Sequence, residues 1–156
     1  MLLLLHNIRS MYNVGSIFRT ADALGVEKIF LCGITPTPTD RLGRPRSQLT
    51  KVSLGAEQSV AWEKVGRTVD LLEKLTQQGY RILAIEQSKK SVPYFKVKLS
   101  SAASKKTVLV VGNEIKGLSP AILQRADKIL EIPMRGHKES LNVAVAFGIV
   151  AFSLVY

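Results

Sequence analysis

The run Val108-Leu109-Val110-Val111-Gly112-Asn113-Glu114-Ile115-Lys116-Gly117-Leu118 reads VLVVGNEIKGL. Its apolar start leads straight into a turn that holds a carboxylate between two glycines. A continuous apolar run bounded by turn signals marks a strand buried on both faces, as in parallel sheets. Similar runs occur near Leu2–Leu5, Lys28–Cys32, Val60–Trp62, Arg81–Ile85, Thr107–Val111 and Lys128–Ile132. Helical patterns fit Val14–Leu24, Thr68–Gln78, Pro120–Arg125 and Leu141–Val155. Such alternation predicts an α/β fold, a single domain over residues 1–156 with a largely parallel sheet flanked by helices. The punctuation agrees. Asn13 is a good N-cap, Gly25 a good terminator, and Ser119-Pro120 places a cap before a proline at the first helical position. Gly79 closes the helix that carries Leu71, Leu72 and Leu75.

The 156 residues suit one core, and 46% hydrophobic content is too high for a disordered tail. A net charge of +10 points to a polyanionic partner. The basic residues are dispersed rather than gathered on one amphipathic helix, which argues against a membrane surface. Cys32 is the lone cysteine, so no intrachain disulfide forms and a cytoplasmic location is expected. With only His6 and His137, a zinc site of the usual spacing is not expected, and no metal is called for. The Met1–Leu5 start lacks the basic leader of a signal peptide and reads as a buried strand. The apolar run Leu141–Tyr156 is shorter than the roughly 20 residues of a membrane span and reads as a buried or interface helix.

Between Arg41 and Lys106 lie 14 of the 22 Lys and Arg residues, against 5 acids. Two basic loops stand out, TPTPTDRLGRPRSQLTK (Thr35–Lys51) and QSKKSVPYFKVK (Gln87–Lys98). Each reads equally as solvated surface or as an RNA contact, with Tyr94 and Phe95 available for base stacking.

Ligands of open parallel sheets sit beyond the carboxyl ends of the strands. GNEIKGL fits neither the Walker spacing nor GxGxxG, and a carboxylate would repel a phosphate. Glu114 suits a neutral or cationic ligand, such as S-adenosylmethionine, or a cationic side chain such as Arg19. A plain surface turn is the competing reading.

Taken together, Asn13…Arg19, then Gly112-Asn113-Glu114…Gly117-Leu118, then Ile132-Pro133-Met134…Ser140-Leu141-Asn142-Val143 resemble the three motifs of the SpoU-type (TrmH-like) RNA 2′-O-ribose methyltransferases of the SPOUT superfamily. KVSLGAE (Lys51–Glu57) resembles that family's middle segment. The resemblance implies an S-adenosylmethionine-dependent enzyme that methylates a ribose 2′-hydroxyl of tRNA or rRNA. It also implies a C-terminal deep trefoil knot and a homodimer whose subunits build the active site together.

By the same resemblance, the catalytic set is Arg19, Asn13, Glu114, Ser140 and Asn142. Arg19 would grip an RNA phosphate and stabilise the developing alkoxide; otherwise it is a surface partner of Asp22. Asn13 reads as a cap, as an orienting group, or as both. Ser140 reads equally as the cap of the last helix or as a substrate contact. Asn142, an amide just inside an apolar helix, requires hydrogen-bond partners. The cofactor positions would be Ile85 or its neighbour Glu86, Gly112, Ile132, Met134 and Leu141, mostly through the backbone, and the apolar ones also fit a core. RNA contacts would fall to Arg9, Arg41, Arg44, Arg46 and Lys51. His137 and Lys138, in the loop before Ser140, read as solvated loop ahead of an RNA contact. Many relatives carry a second serine where Ala144 stands, and many carry an N-terminal RNA-binding extension; this sequence begins almost at its first motif, which leaves RNA capture to the domain itself. Two other readings stand beside this one: a passive RNA-binding module of the same fold, and a different α/β nucleotide enzyme.

Overall fold

The computed structural model describes residues 1–156. Seven strands form one sheet in the order β3-β2-β1-β6-β4-β7-β5: β1 (Leu2–His6), β2 (Lys28–Cys32), β3 (Ala61–Val65), β4 (Arg81–Ile85), β5 (Val92–Pro93), β6 (Thr107–Val111) and β7 (Lys128–Glu131). Every pairing is parallel. Seven helices join them: α1 (Met11–Leu24), α2 (Ser47–Ser53), α3 (Ala56–Ser59), α4 (Thr68–Gln77), α5 (Ser101–Lys105), α6 (Pro120–Leu123) and α7 (Val143–Val155).

The continuous apolar strands are explained by helices on both faces. In β1, Leu3 and Leu5 join Ile17, Phe18, Phe147 and Val150 in the larger core, beneath α1 and α7. Leu2 and Leu4 join Leu72, Leu75 and Ile122 in the smaller core, beneath α4 and α6. Leu109 and Val111 of β6 face the first core, and Val108 and Val110 the second. The two-residue strand period thus splits one hydrophobic run between two cores. β6 pairs with β1 in the register Leu2↔Val108 and with β4 in the register Arg81↔Thr107, so its carboxyl end opens near the middle of the sheet.

Two helix starts, two short helices and the strands β3 and β5 differ from the sequence expectation. Ser10, not Asn13, caps α1: its side chain accepts from the Asn13 N–H, which puts Asn13 inside the first turn. Asn142, not Ser140, caps α7, with Oδ1 accepting from the N–H groups of Ala144 and Val145 at 2.9 and 3.4 Å. Residues 47–51, read as the end of a loop, and residues 52–59, for which no element is expected, form α2 and α3; close packing anchors them, since a Cβ on Gly15 would lie 2.5 Å from the Leu49 carbonyl oxygen. The third strand runs from Ala61 rather than Val60 and extends to Val65. The basic segment after Gln87 contributes β5 and a 3-10 turn at Tyr94–Lys96. Tyr94 packs on the larger core and only Phe95 stays exposed, so one of the two proposed stacking rings is used internally. Gly25 and Gly79 do end their helices in the left-handed region.

Gly112 is required by packing rather than by a positive φ. A Cβ there would stand 2.7 Å from Leu118 Cγ and 2.8 Å from the Gly117 carbonyl carbon. Gly112→Ala should therefore destabilise the protein by about 1–3 kcal/mol through overpacking, read as a lower urea midpoint at unchanged slope.

Candidate active site

At the carboxyl ends of β4, β6 and β7 lies a cavity of about 260 Å³. Its walls include all six positions expected to hold a cofactor: Ile85, Glu86, Gly112, Ile132, Met134 and Leu141. Three of the five expected catalytic residues, Glu114, Ser140 and Asn142, also line it. No lysine or arginine is among the lining side chains, whereas Glu86, Glu114 and Glu131 are. Such a wall disfavours a phosphate-bearing ligand and suits one whose reactive end is positive.

Glu114 answers a local demand first. Its carboxylate accepts from the main-chain N–H of Arg9 at 2.9 Å and of Ser10 at 3.0 Å, and from Asn13 Nδ2 at 3.1 Å. These donors surround the start of α1, where a negative charge is favoured by unpaired amides and the helix dipole. Burial alone would raise the Glu114 carboxyl. The donors of Arg9, Ser10 and Asn13 outweigh it and hold the group below its ordinary value of 4.5.

Asn13 passes the arrangement on. Its Oδ1 accepts from Asn142 Nδ2 at 2.9 Å while Asn142 Oδ1 caps α7. The relay Glu114–Asn13–Asn142 thus ties the starts of α1 and α7 to the loop after β6. Each amide has its oxygen and nitrogen fixed by a neighbour that can only donate or only accept. This is where the partners required by Asn142 are found.

Glu86, expected at the cofactor, also works locally. Its two oxygens accept from the N–H groups of Gln87 at 2.9 Å and Leu118 at 2.8 Å, clasping the end of β4 to the loop after β6. The loop before Asn142 is held by Gln87 Nε2, which donates to the Glu139 carbonyl at 2.5 Å.

Arg19 stands apart within the chain. It is exposed and makes no hydrogen bond or ion pair. It follows Asn13 by six residues, which on an α-helix is about 9 Å along the axis and about 240° around it. The expected contact of Glu114 with Arg19 is therefore absent here. So is the surface pair with Asp22, whose carboxylate accepts from Ser59 Oγ instead.

The five expected RNA contacts differ in availability. Arg9, Arg41 and Lys51 are exposed; Arg44 pairs with Asp40 at 2.8 Å, and half-buried Arg46 donates to the Thr39 carbonyl at 3.3 Å. Asn113 and Ser10 carry structural roles that the motif reading left unassigned. Asn113 Oδ1 accepts from the N–H groups of Ile115 and Lys116, an Asx turn that its place after a strand-ending glycine foreshadows.

The sequence profile described as the SpoU rRNA Methylase family matches residues 1–152. The chain belongs to this family. It is 36% identical over 146 residues to the tRNA (guanosine(18)-2′-O)-methyltransferase of Aquifex aeolicus, covering 94% of this chain and 64% of that protein. It is 32% identical over 150 residues to a 23S rRNA (guanosine-2′-O-)-methyltransferase of Neisseria meningitidis, covering 96% of this chain and 56% of the other. The AdoMet-bound rRNA methyltransferase from Sinorhizobium meliloti superposes with a TM-score of 0.86 at 29% identity, over 98% of this chain and 54% of that one. The chain thus spans between half and two thirds of the length of these relatives. Fold and family are shared across that span.

Since the Glu114 carboxyl is held below its unfolded value, its contribution to stability is present above about pH 4.5 and is lost as pH falls through the folded value. Glu114→Gln should lower the urea midpoint at pH 7, and the gap to the parent chain should narrow by pH 3.

Proposed function

We propose that this SpoU-family chain is an S-adenosylmethionine-dependent RNA 2′-O-ribose methyltransferase acting on tRNA or rRNA. The observation that carries the reading is the meeting of the Glu114–Asn13–Asn142 relay with a cavity walled by the expected cofactor positions and free of basic side chains. The names of the Aquifex and Neisseria relatives support the reaction, and the AdoMet-bound relative supports the methyl donor.

Ile85, Gly112, Ile132, Met134 and Leu141 would hold the donor, largely through backbone groups and apolar surface. Glu86 and Glu114 would favour its positive charge. The donor supplies an electrophilic methyl group on a sulfonium. A ribose hydroxyl is a weak nucleophile, so the protein must stabilise the alkoxide that forms as its proton leaves. That role falls to Arg19, whose guanidinium binds the phosphate beside the target ribose and stabilises the developing charge. Asn13 and Asn142 orient the polar groups around the sugar, and Ser140, at the cavity wall, is a further substrate contact. Arg9, Arg41 and Lys51 take phosphates further along the strand, with Arg44 and Arg46 shaping the loop that presents Arg41.

The last helix supports a homodimer. Val145, Ile149, Phe152 and Tyr156 are exposed by 50%, 36%, 39% and 80%, a continuous stripe on the face opposite buried Phe147, Val150 and Leu154. Such a stripe is best covered by a second copy of the same helix. α1 packs beside α7, where Thr20 lies against Gly148, and Arg19 stands exposed on the next position of α1. Assembly there supplies a route by which Arg19 serves a site it does not reach in its own chain.

A C-terminal knot is supported by the sheet order. β7 inserts between β4 and β5, and residues 86–91 cross its carboxyl end. Ser91 Oγ donates to Glu131 Oε2 at 2.9 Å, and Gln87 Nε2 to the Glu139 carbonyl at 2.5 Å, which binds the crossing segment to β7 and to the chain that follows it. A chain leaving β7 beneath that crossing is threaded, against the usual rule.

Incubation with labelled S-adenosylmethionine and bulk tRNA and rRNA should yield alkali-resistant dinucleotides carrying label. Label that alkali releases wholly as mononucleotides defeats the reading. Arg19→Ala should lower transfer by about 10²-fold or more while donor affinity stays within about twofold. Phe152→Glu should shift the sedimentation coefficient of a dimer to that of a monomer.

A further inference from the structure

We infer that Asn7, outside both the cavity wall and the three motifs, is a positioning residue for the proposed reaction: its left-handed backbone sets the loop that presents Glu114. The inference rests on the methyltransferase reading of that site.

Asn7 ends β1 at φ 55°, one of two non-glycine residues with positive φ in the chain. Asparagine tolerates this region better than other side chains, provided local hydrogen bonds hold it there. All four of its polar groups are engaged. The main-chain N–H donates to the Cys32 carbonyl at 3.2 Å. The carbonyl accepts from Asn113 Nδ2 at 2.7 Å. Oδ1 accepts from the Ile34 N–H at 3.0 Å, and Nδ2 lies 3.0 Å from His6 Nε2.

The Ile34 amide can only donate, so it fixes the Asn7 side-chain orientation and leaves Nδ2 as the group that faces His6. His6 Nε2 must then accept, which places the ring proton on Nδ1, 2.8 Å from Thr68 Oγ1. Partial burial lowers the His6 pKa and favours this neutral ring. Gly33 belongs to the same device, because a Cβ there would collide with Asn7 Oδ1.

The result is a clamp between two loops. The left-handed turn at Asn7 sends the chain towards α1 so that the amides of Arg9 and Ser10 meet Glu114. The Asn7 carbonyl simultaneously holds Asn113, whose Oδ1 fixes the amides of Ile115 and Lys116. Glu114 is therefore gripped from both sides, and each grip depends on the conformation of one residue.

The test uses the full chain with Asn7→Gly and Asn7→Asp. Glycine permits the positive φ but removes the side-chain bonds. Aspartate keeps an acceptor for Ile34 and can accept from a protonated His6, so it is the conservative rescue. Amide hydrogen exchange at Ile115 and Lys116 should quicken by about tenfold in Asn7→Gly, with kcat for RNA methylation about tenfold lower and KM for RNA within about twofold. Asn7→Asp should recover most of both. Parent-like exchange and kcat in Asn7→Gly overturn the inference, as does a raised KM at unchanged kcat. So does an Asn7→Asp chain as slow as Asn7→Gly. A parent chain that labels no RNA removes the functional reading and the catalytic half of this inference with it; unchanged exchange beside an active parent removes the inference alone.

Discussion

Much of this molecule depends on one carboxylate satisfying amides that belong to a different part of the chain. Glu114 arrives from the loop after β6, and its acceptors meet the first donors of α1 more than 100 residues earlier in sequence. A helix start without such a partner must turn to water or to its own cap, and Ser10 supplies only one bond of that kind. Glu114 takes the amides of Arg9 and Ser10 just ahead of it and thereby docks the β6 loop against α1. Asn13 and Asn142 extend the same bond network to the start of α7, so the three motif segments meet because their backbone polar groups need one another.

Structural and chemical demands fall on the same residues. A carboxylate held charged by amides remains an acceptor across the neutral pH range, and two oriented asparagines give the site fixed donors and acceptors. Around them the cavity is half apolar wall and half polar and acidic side chains with two glycines, built at the strand ends where the parallel sheet leaves main-chain groups open. Packing sets the limits of that backbone. Leu118 presses on Gly112, and Glu86 presses on Gly117, so the glycines are required before any ligand is considered.

The fold is legible in the sequence wherever the signal is local. Continuous apolar runs mark the parallel strands, and Gly25 and Gly79 mark helix ends, because both effects act within a few residues. Caps are displaced by small shifts: Asn13 and Ser140 are good capping residue types, but Ser10 and Asn142 occupy the capping positions because tertiary bonds decide which turn is first. The helices at residues 47–59 are hidden, since their short sequences fold by packing on α1 rather than by periodicity. At the site, the motif resemblance groups Ile85, Glu86, Gly112, Ile132, Met134 and Leu141, which line one cavity, and the need of Asn142 for partners is legible from an amide beside an apolar helix. The isolation of Arg19 is not, because a motif records which residues occur and not which helix face they share. Asn7 is silent for a related reason: a left-handed asparagine looks like any other asparagine in a string of letters.

The insertion of β7 between two strands made before it bears on how the protein reaches its native state. Until Lys128–Glu131 leaves the ribosome, β4 has a partner only on its β6 side, and its other edge offers open amides and carbonyls. The nascent chain must keep that edge clear for a segment still being synthesised, rather than sealing it with β5 or with a neighbouring chain. Completion of the sheet thus waits until synthesis has passed Glu131, and chaperone dependence and aggregation risk should concentrate in the interval before it.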